Sequence, residues 1–173
     1  MNQFRIVSLT GISVVDMESI LAPMVKESEA EGFRHIRRLY EDYISGANRF
    51  DKISEALVGI RDGDRLIAIG GVNATDIQEI GRIRRVYVSP ERRRQGVGRL
   101  LMEEIMSAAR PHYRRLVLRT HNPAAAAFYL QLGFVPVASN PEVTHFYDFP
   151  TYETEMSQTF PISSGIQTAQ MRV

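Results

Sequence analysis

The chain has 173 residues, 44% of them hydrophobic and 24% charged, with a formal net charge of +1. That length fits one domain with a full core, and the near-neutral balance argues against a protein held to nucleic acid by bulk charge. Cysteine is missing altogether, which removes disulfides, thiolate catalysis and cysteine-based metal sites. The four histidines, at 35, 112, 121 and 145, show no ligand spacing, so no metal is expected. The first ten residues, MNQFRIVSLT, carry no signal-peptide pattern. No segment approaches the ~20 apolar residues a membrane helix needs. A cytoplasmic protein with no membrane and no nucleic-acid partner is the expectation.

Residues 4–9 read as a short strand with apolar side chains at 4, 6 and 7. Residues 16–25 place apolar side chains at 17, 20, 21, 24 and 25, a helical spacing, and ESEAEG (27–32) reads as a charged break. A second helical face over 33–45 carries Phe33, Ile36, Leu39, Tyr40, Tyr43 and Ile44, with Gly46 placed to end it. Two apolar runs, 55–60 and 65–72, flank Asp62-Gly63, a hairpin signal. The pattern then predicts a strand over 79–89, a helix over 98–110, a strand over 115–119, a helix over 123–132, and strands over 134–138 and 144–149. Such an order describes a mixed α/β (α+β) domain over 1–149, with hairpins early and crossovers late. From Pro150 the periodicity fades, and 150–173 is polar and rich in Ser, Thr and Gln. It reads either as a loose tail or as an arm packed on a partner subunit.

The stretch RRRQGVGRLL (92–101) sits between a strand and a helix. A helix start carries unpaired N–H groups and partial positive charge, and glycines there let a ligand approach the backbone. Arg93, Arg94 and Arg99 can add charge-assisted hydrogen bonds. Together these suit a phosphate or pyrophosphate. The spacing is neither a P-loop nor a dinucleotide fingerprint. The plainer reading is a solvated basic turn with a glycine-assisted helix start.

A second stretch, LRTHNPAAAAFYLQLGFVPV (118–137), opens a helix on Asn122 and Pro123, keeps one turn slim with four alanines, and ends it at Gly133. With this the chain resembles the GNAT superfamily of acetyl-CoA-dependent N-acetyltransferases. Arg93-x-x-Gly96-x-Gly98 after "VYVSP" (86–90) looks like the family's pyrophosphate loop. Asn122, Ala125, Ala126, Phe128-Tyr129 and Leu132-Gly133-Phe134 look like its second coenzyme motif. "SGANRFD" (45–51) with "GGVN" (70–73) is similar to bacterial members of unassigned substrate, which suggests a bacterial source.

The resemblance implies a GNAT-type fold: a central, mostly antiparallel, splayed mixed sheet flanked by helices. It implies acetyl transfer from acetyl-CoA to an amine acceptor, small molecule or protein, in a ternary complex. Val86 and Val88 would offer backbone groups to pantetheine as if it were an added strand. Arg93, Arg94, Gln95, Gly96, Val97, Gly98 and Arg99 would surround the pyrophosphate, and Asn122 would touch the arm. Tyr129 would lie near the sulfur as general acid; its plainer role is a core aromatic. Many members carry a glutamate six residues ahead of the last strand valine, and here that position is Arg82. Glu79 is then the tentative base, with Asp76 behind it, although Glu79 has the opposite face parity unless a bulge intervenes. A water chain without a protein base is the other reading. His121 and His145 can titrate usefully, yet lone histidines are more often structural. Tyr40, Tyr43 and Phe50 are candidates to line the acceptor cleft. Members are often dimers, so a homodimer with an exchanged tail is one arrangement. The alternative functions are a non-catalytic acyl-CoA-binding module and a nucleic-acid binder using the arginines from 82 to 94.

Overall fold

In the computed structural model, which describes residues 4–151, Gly63 makes the tight turn that the Asp-Gly pair signals, with φ +58°. It joins β2 (Ala56–Asp62) to β3 (Arg65–Ala74). The other elements are β1 (Arg5–Ser8), α1 (Val14–Ala30), α2 (His35–Ser45), β4 (Ile80–Val88), α3 (Val97–Ala109), β5 (Arg115–Leu118), α4 (Pro123–Gln131), β6 (Val135–Pro136) and β7 (His145–Asp148). A short 3-10 turn, Pro90–Arg92, links β4 to α3. The element order is the one the sequence predicts. The arm suggested for the tail lies in residues 152–173, outside the described ones.

The seven strands lie in one sheet, β1-β2-β3-β4-β5-β7-β6. Only β4 and β5 run parallel; the other neighbours are antiparallel. Two apolar cores sandwich the sheet. Met17, Leu21, Leu39 and Tyr43 of α1 and α2 pack with Leu57, Ile69 and Tyr87 on one face. Val97, Leu101 and Ile105 of α3 pack with Ile60, Ile83 and Leu116 on the other. Each large aliphatic side chain buried this way contributes about 2 kcal/mol.

The first helix runs further than its apolar stripe. Ser13 caps it, its Oγ accepting from the Asp16 N–H at 3.1 Å, and the helix continues through residues 26–30. Those residues include strong helix formers, so the charged run is the helix's final turn. Its acids have work across the fold: Glu27 pairs with Arg65 at 2.5 Å and Glu31 with Arg93 at 2.7 Å.

Tyr43 and Phe50 are core residues, which corrects their placement in the acceptor cleft. Tyr43 is buried and donates its hydroxyl to the Ile12 carbonyl at 2.7 Å. Phe50 is buried against β3, where a Cβ on Gly71 would come within 2.6 Å of its ring. Tyr40 stays at the surface and donates to Glu18 at 2.8 Å.

Two irregularities in β4 shape the rest. Its pairing with β5 covers only Ile80↔Arg115, Gly81↔Leu116 and Arg82↔Val117, after which the strands part. Its pairing with β3 jumps from Gly71↔Arg84 to Ile69↔Tyr87. Residues 85 and 86 thus face Gly70 alone, and Arg85 sits at φ +60°. That is a β-bulge. Ile83 faces α3 before it, and Val86 and Val88 face α3 after it, while Tyr87 turns to α1 and α2.

Candidate functional site

The segment after β4 folds into a cradle of backbone at the start of α3. Arg94 and Gly96 both take left-handed backbone, φ +62° and +81°. Gly96 is the N-cap of α3, and no side chain caps that helix. The first N–H groups of α3 therefore remain available to a ligand. Gly98 follows, where a Cβ would meet the Phe128 ring of α4 at 3.3 Å, so the helix start and α4 lie close. The start of α4 is different: Asn122 Oδ1 accepts from the N–H groups of Ala124 and Ala125 at 2.9 and 3.3 Å. Its N-terminus is already satisfied by its own cap.

The arginines of this stretch divide into fixed and free. Arg92 pairs with Asp62 at 2.6 Å. Arg93 grips both carboxylate oxygens of Glu31 at 2.7 Å, donates its Nε to the Val88 carbonyl at 2.9 Å, and lies over the Tyr87 ring. The Arg93 hydrogen bonds hold the Glu31 carboxyl below the usual carboxylate range. Tyr87 also donates to Glu31, and burial leads its rise in pKa. Gln95 is exposed and donates to the Glu91 carbonyl at 2.7 Å. Val97 is core. Arg99 is half exposed and approaches Glu103 at 4.0 Å. Among the described residues Arg94 makes no hydrogen bond or ion pair, so Arg94 and Arg99 are the cations the cradle presents.

Tyr129 lies on α4, 7% exposed, with its ring centroid 5.5 Å from Phe134 and 6.4 Å from His145. His145 pairs with Leu118 at the end of β5. The tyrosine thus sits beside the gap between β4 and β5, on the α3 side. Burial pushes its phenol pKa up, and the group keeps its proton across the neutral range. The hydroxyl makes no hydrogen bond among the described residues.

The candidate base residues fall elsewhere. Glu79 is on the turn ahead of β4 at φ +64°, beyond the start of β5, and its carboxylate pairs with Arg114 at 2.9 Å. Asp76 is exposed on the same turn. His121 accepts from Arg119 at 3.2 Å, and His145 is buried with Nδ1 2.9 Å from the Thr144 hydroxyl. Arg82, at the glutamate position, donates to the Glu142 backbone carbonyl. Among the described residues no group of three or more His, Asp or Glu is placed to hold a metal ion, and no helix is long and apolar enough to cross a membrane.

On the α2 side of β4 the structure opens a cleft of about 410 Å³. It is lined by Arg84, Asn73, Asp42 and residues of the α2–β2 connection. Sequence reasoning missed this cleft, because Arg84 and Arg85 share a face only through the bulge, and a bulge leaves no signature in a strand's apolar alternation.

Residues 54–136 match the family model for the acetyltransferase (GNAT) domain. A provisionally assigned acetyltransferase from Exiguobacterium sp. 255-15 is 30% identical, with a TM-score of 0.71 over 91% of this chain and 98% of that one. A GNAT-family protein from Desulfovibrio desulfuricans superposes with a TM-score of 0.65 at 16% identity, over 84% and 99% of the two chains. The PaiA N-acetyltransferase from Thermoplasma acidophilum, in complex with coenzyme A, does so with a TM-score of 0.58 at 16% identity, over 85% and 99%. No protein of curated function matches the chain. The splayed sheet and the open helix start are those of an acyl-transfer protein. The chain belongs to the GNAT family of acetyltransferases.

Proposed function

We propose that the protein is an N-acetyltransferase that moves an acetyl group from acetyl-CoA to a primary amine by direct attack. The observation that carries this is the juxtaposition at the end of β4: an edge without a partner past Arg82, next to the uncapped start of α3. One structural neighbour was crystallised with coenzyme A, and the residues here fit that group. The N–H groups at 96–99, with Arg94 and Arg99, would hold the pyrophosphate. The backbone of Val86 and Val88 would pair with the pantetheine arm. Arg93 contributes by fixing the loop to α1, and Asn122 by shaping the start of α4.

The cofactor supplies an acetyl thioester. The neutral amine attacks its carbonyl carbon, a C–N bond forms, and the C–S bond breaks. A backbone N–H on the open edge of β4 stabilises the oxygen as it gains charge. Tyr129 gives its proton to the departing sulfur and regains one from solvent. The amine proton leaves through water, since Glu79 is tied to Arg114 at the far end of the strand.

Calorimetry with acetyl-CoA on wild type and on Gly96→Asp with Gly98→Asp tests the reading. Wild type is expected to bind, and the double variant, with two carboxylates in the cradle, to lose binding. A wild type that binds no acyl-CoA overturns it. Arg82 at the glutamate position favours a second reading, a non-catalytic acyl-CoA module. Tight binding without thiol release on any class of amine would establish that instead.

A further inference from the structure

Three arginines crowd the α2-facing side of β4 around the point where it leaves β5. Arg82 is neutralised by Glu142, with an ion pair at 3.9 Å. Arg85 is neutralised by Asp42 at 2.9 Å. Arg84, between them, makes no hydrogen bond or ion pair among the described residues, yet it lines the cleft of about 410 Å³. Desolvation, followed by the charges of Arg82 and Arg85, pulls its pKa below the ordinary arginine value. The fold thus holds a guanidinium with no direct partner among the described residues, and with Asp42 and Glu142 near enough to act on it, two residues past the last β4–β5 pair.

Most of the other polar side chains in the cleft have partners. The side-chain amides of Asn48 and Asn73 bond each other reciprocally at 2.9 and 3.0 Å. Glu55 accepts from the Ala74 N–H at 3.1 Å and lies 3.9 Å from the Lys52 ammonium. Asp51 also lines the cleft and makes no hydrogen bond or ion pair among the described residues. Arg49 lines the cleft too, but its Nε is held by the Tyr43 carbonyl at 3.0 Å. Arg84, the lining cation with no hydrogen bond or ion pair among the described residues, stands beside several carboxylates and so matches a single negative charge better than a phosphate dianion. The planar fork of arginine matches a carboxylate in two parallel bonds.

We propose that Arg84 recognises a carboxylate on the acceptor, so that the substrate is a small amino carboxylate. This rests on the acetyl-transfer reading for the reaction, but the cleft can be tested apart from it. Bound by its carboxylate to Arg84, such a molecule keeps its amine near the open edge of β4. Arg84 then decides specificity and leaves the chemistry to other groups.

The probes are L-amino acids, their carboxamides and O-phosphoethanolamine. They are titrated calorimetrically into the protein alone and into the protein saturated with CoA, which has no acetyl group to transfer. At least one amino acid is expected to bind more tightly than its carboxamide. Arg84→Gln should lose about 10²-fold in that affinity, the scale of a charge-assisted pair, and with it the discrimination. In turnover the loss should appear in KM more than in kcat. Arg84→Lys keeps the charge without the fork and should recover part of the affinity. Thermal melts confirm that both variants are folded. Equal binding of acids and amides, tighter binding of O-phosphoethanolamine, or an unaltered Arg84→Gln each overturns the proposal, as does a wild type that binds no amino acid. Failure of CoA itself to bind strikes the acetyl-transfer reading alone, since the titration without CoA still interrogates Arg84.

Discussion

The two ends of β4 obey different rules. At the start, Ile80, Gly81 and Arg82 are paired on both sides, by β3 or its turn and by β5, and Gly81 is packed so closely that a Cβ would lie 2.7 Å from the Tyr113 ring. At the other end, from the bulge to Val88, β4 has β3 on one side and, among the described residues, no strand on the other. The same strand is a structural member for half its length and, in the proposed function, a docking edge for the remainder. An edge of this kind is normally a liability that proteins cover; here side chains of α3 and α4 pack beside it. Stability and binding are therefore separable along a single element.

That separation can be challenged by substitution. Tyr129→Phe acts at the open end and should slow turnover about 10²-fold, with acetyl-CoA affinity and thermal midpoint retained. Near-normal steady-state turnover would remove Tyr129 from the acid role. Gly81→Ala acts at the paired end. Overpacking against Tyr113 should lower the melting temperature by roughly 4–8 °C while the folded fraction binds acetyl-CoA normally. Weakened binding with an unchanged melt would erase the distinction between the ends.

Arg93→Ala sharpens the comparison because Arg93 touches both concerns. Its loss should cost about 1 kcal/mol of stability, roughly 2–4 °C, and weaken acetyl-CoA binding by freeing the loop. The stability difference should depend on pH. Arg93 lowers the Glu31 carboxyl in the fold, so its contribution is present above the ordinary glutamate value and fades as pH falls below it. Melts of the two proteins should converge in acid. A difference that persists there would assign the effect to packing over Tyr87.

Local rules made most of the architecture legible. Asn122-Pro123 opened α4, Gly46 closed α2 at φ +81°, and the Asp-Gly pair marked the β2–β3 hairpin. What escaped depended on distant partners. The charge-rich end of α1 looked like a break because its acids are satisfied by Arg65 and Arg93, the latter 62 residues away. The pair between Arg93 and Glu31 escaped for the same reason, since nothing near Arg93 in the sequence announces its partner. Glu79 was proposed from proximity along the chain, and its ion pair with Arg114 is a contact between two separate turns. The cradle glycines were legible because their constraint is the backbone itself, and Arg84 was not, because its freedom is defined by the pairing of its neighbours.

The single extra residue at the β4 bulge also has a consequence for inheritance. Deleting one codon between those for Arg84 and Tyr87 would restore even pairing with β3 and leave Tyr87 opposite Ile69 and Val88 opposite Ala68, so the residues that follow keep their faces. What such a deletion removes is the pair of consecutive arginines that share the α2-facing side. Elsewhere in β4 the loss of one residue would turn every following side chain to the other face. Over generations the length of this strand should vary at the bulge before it varies anywhere else along it.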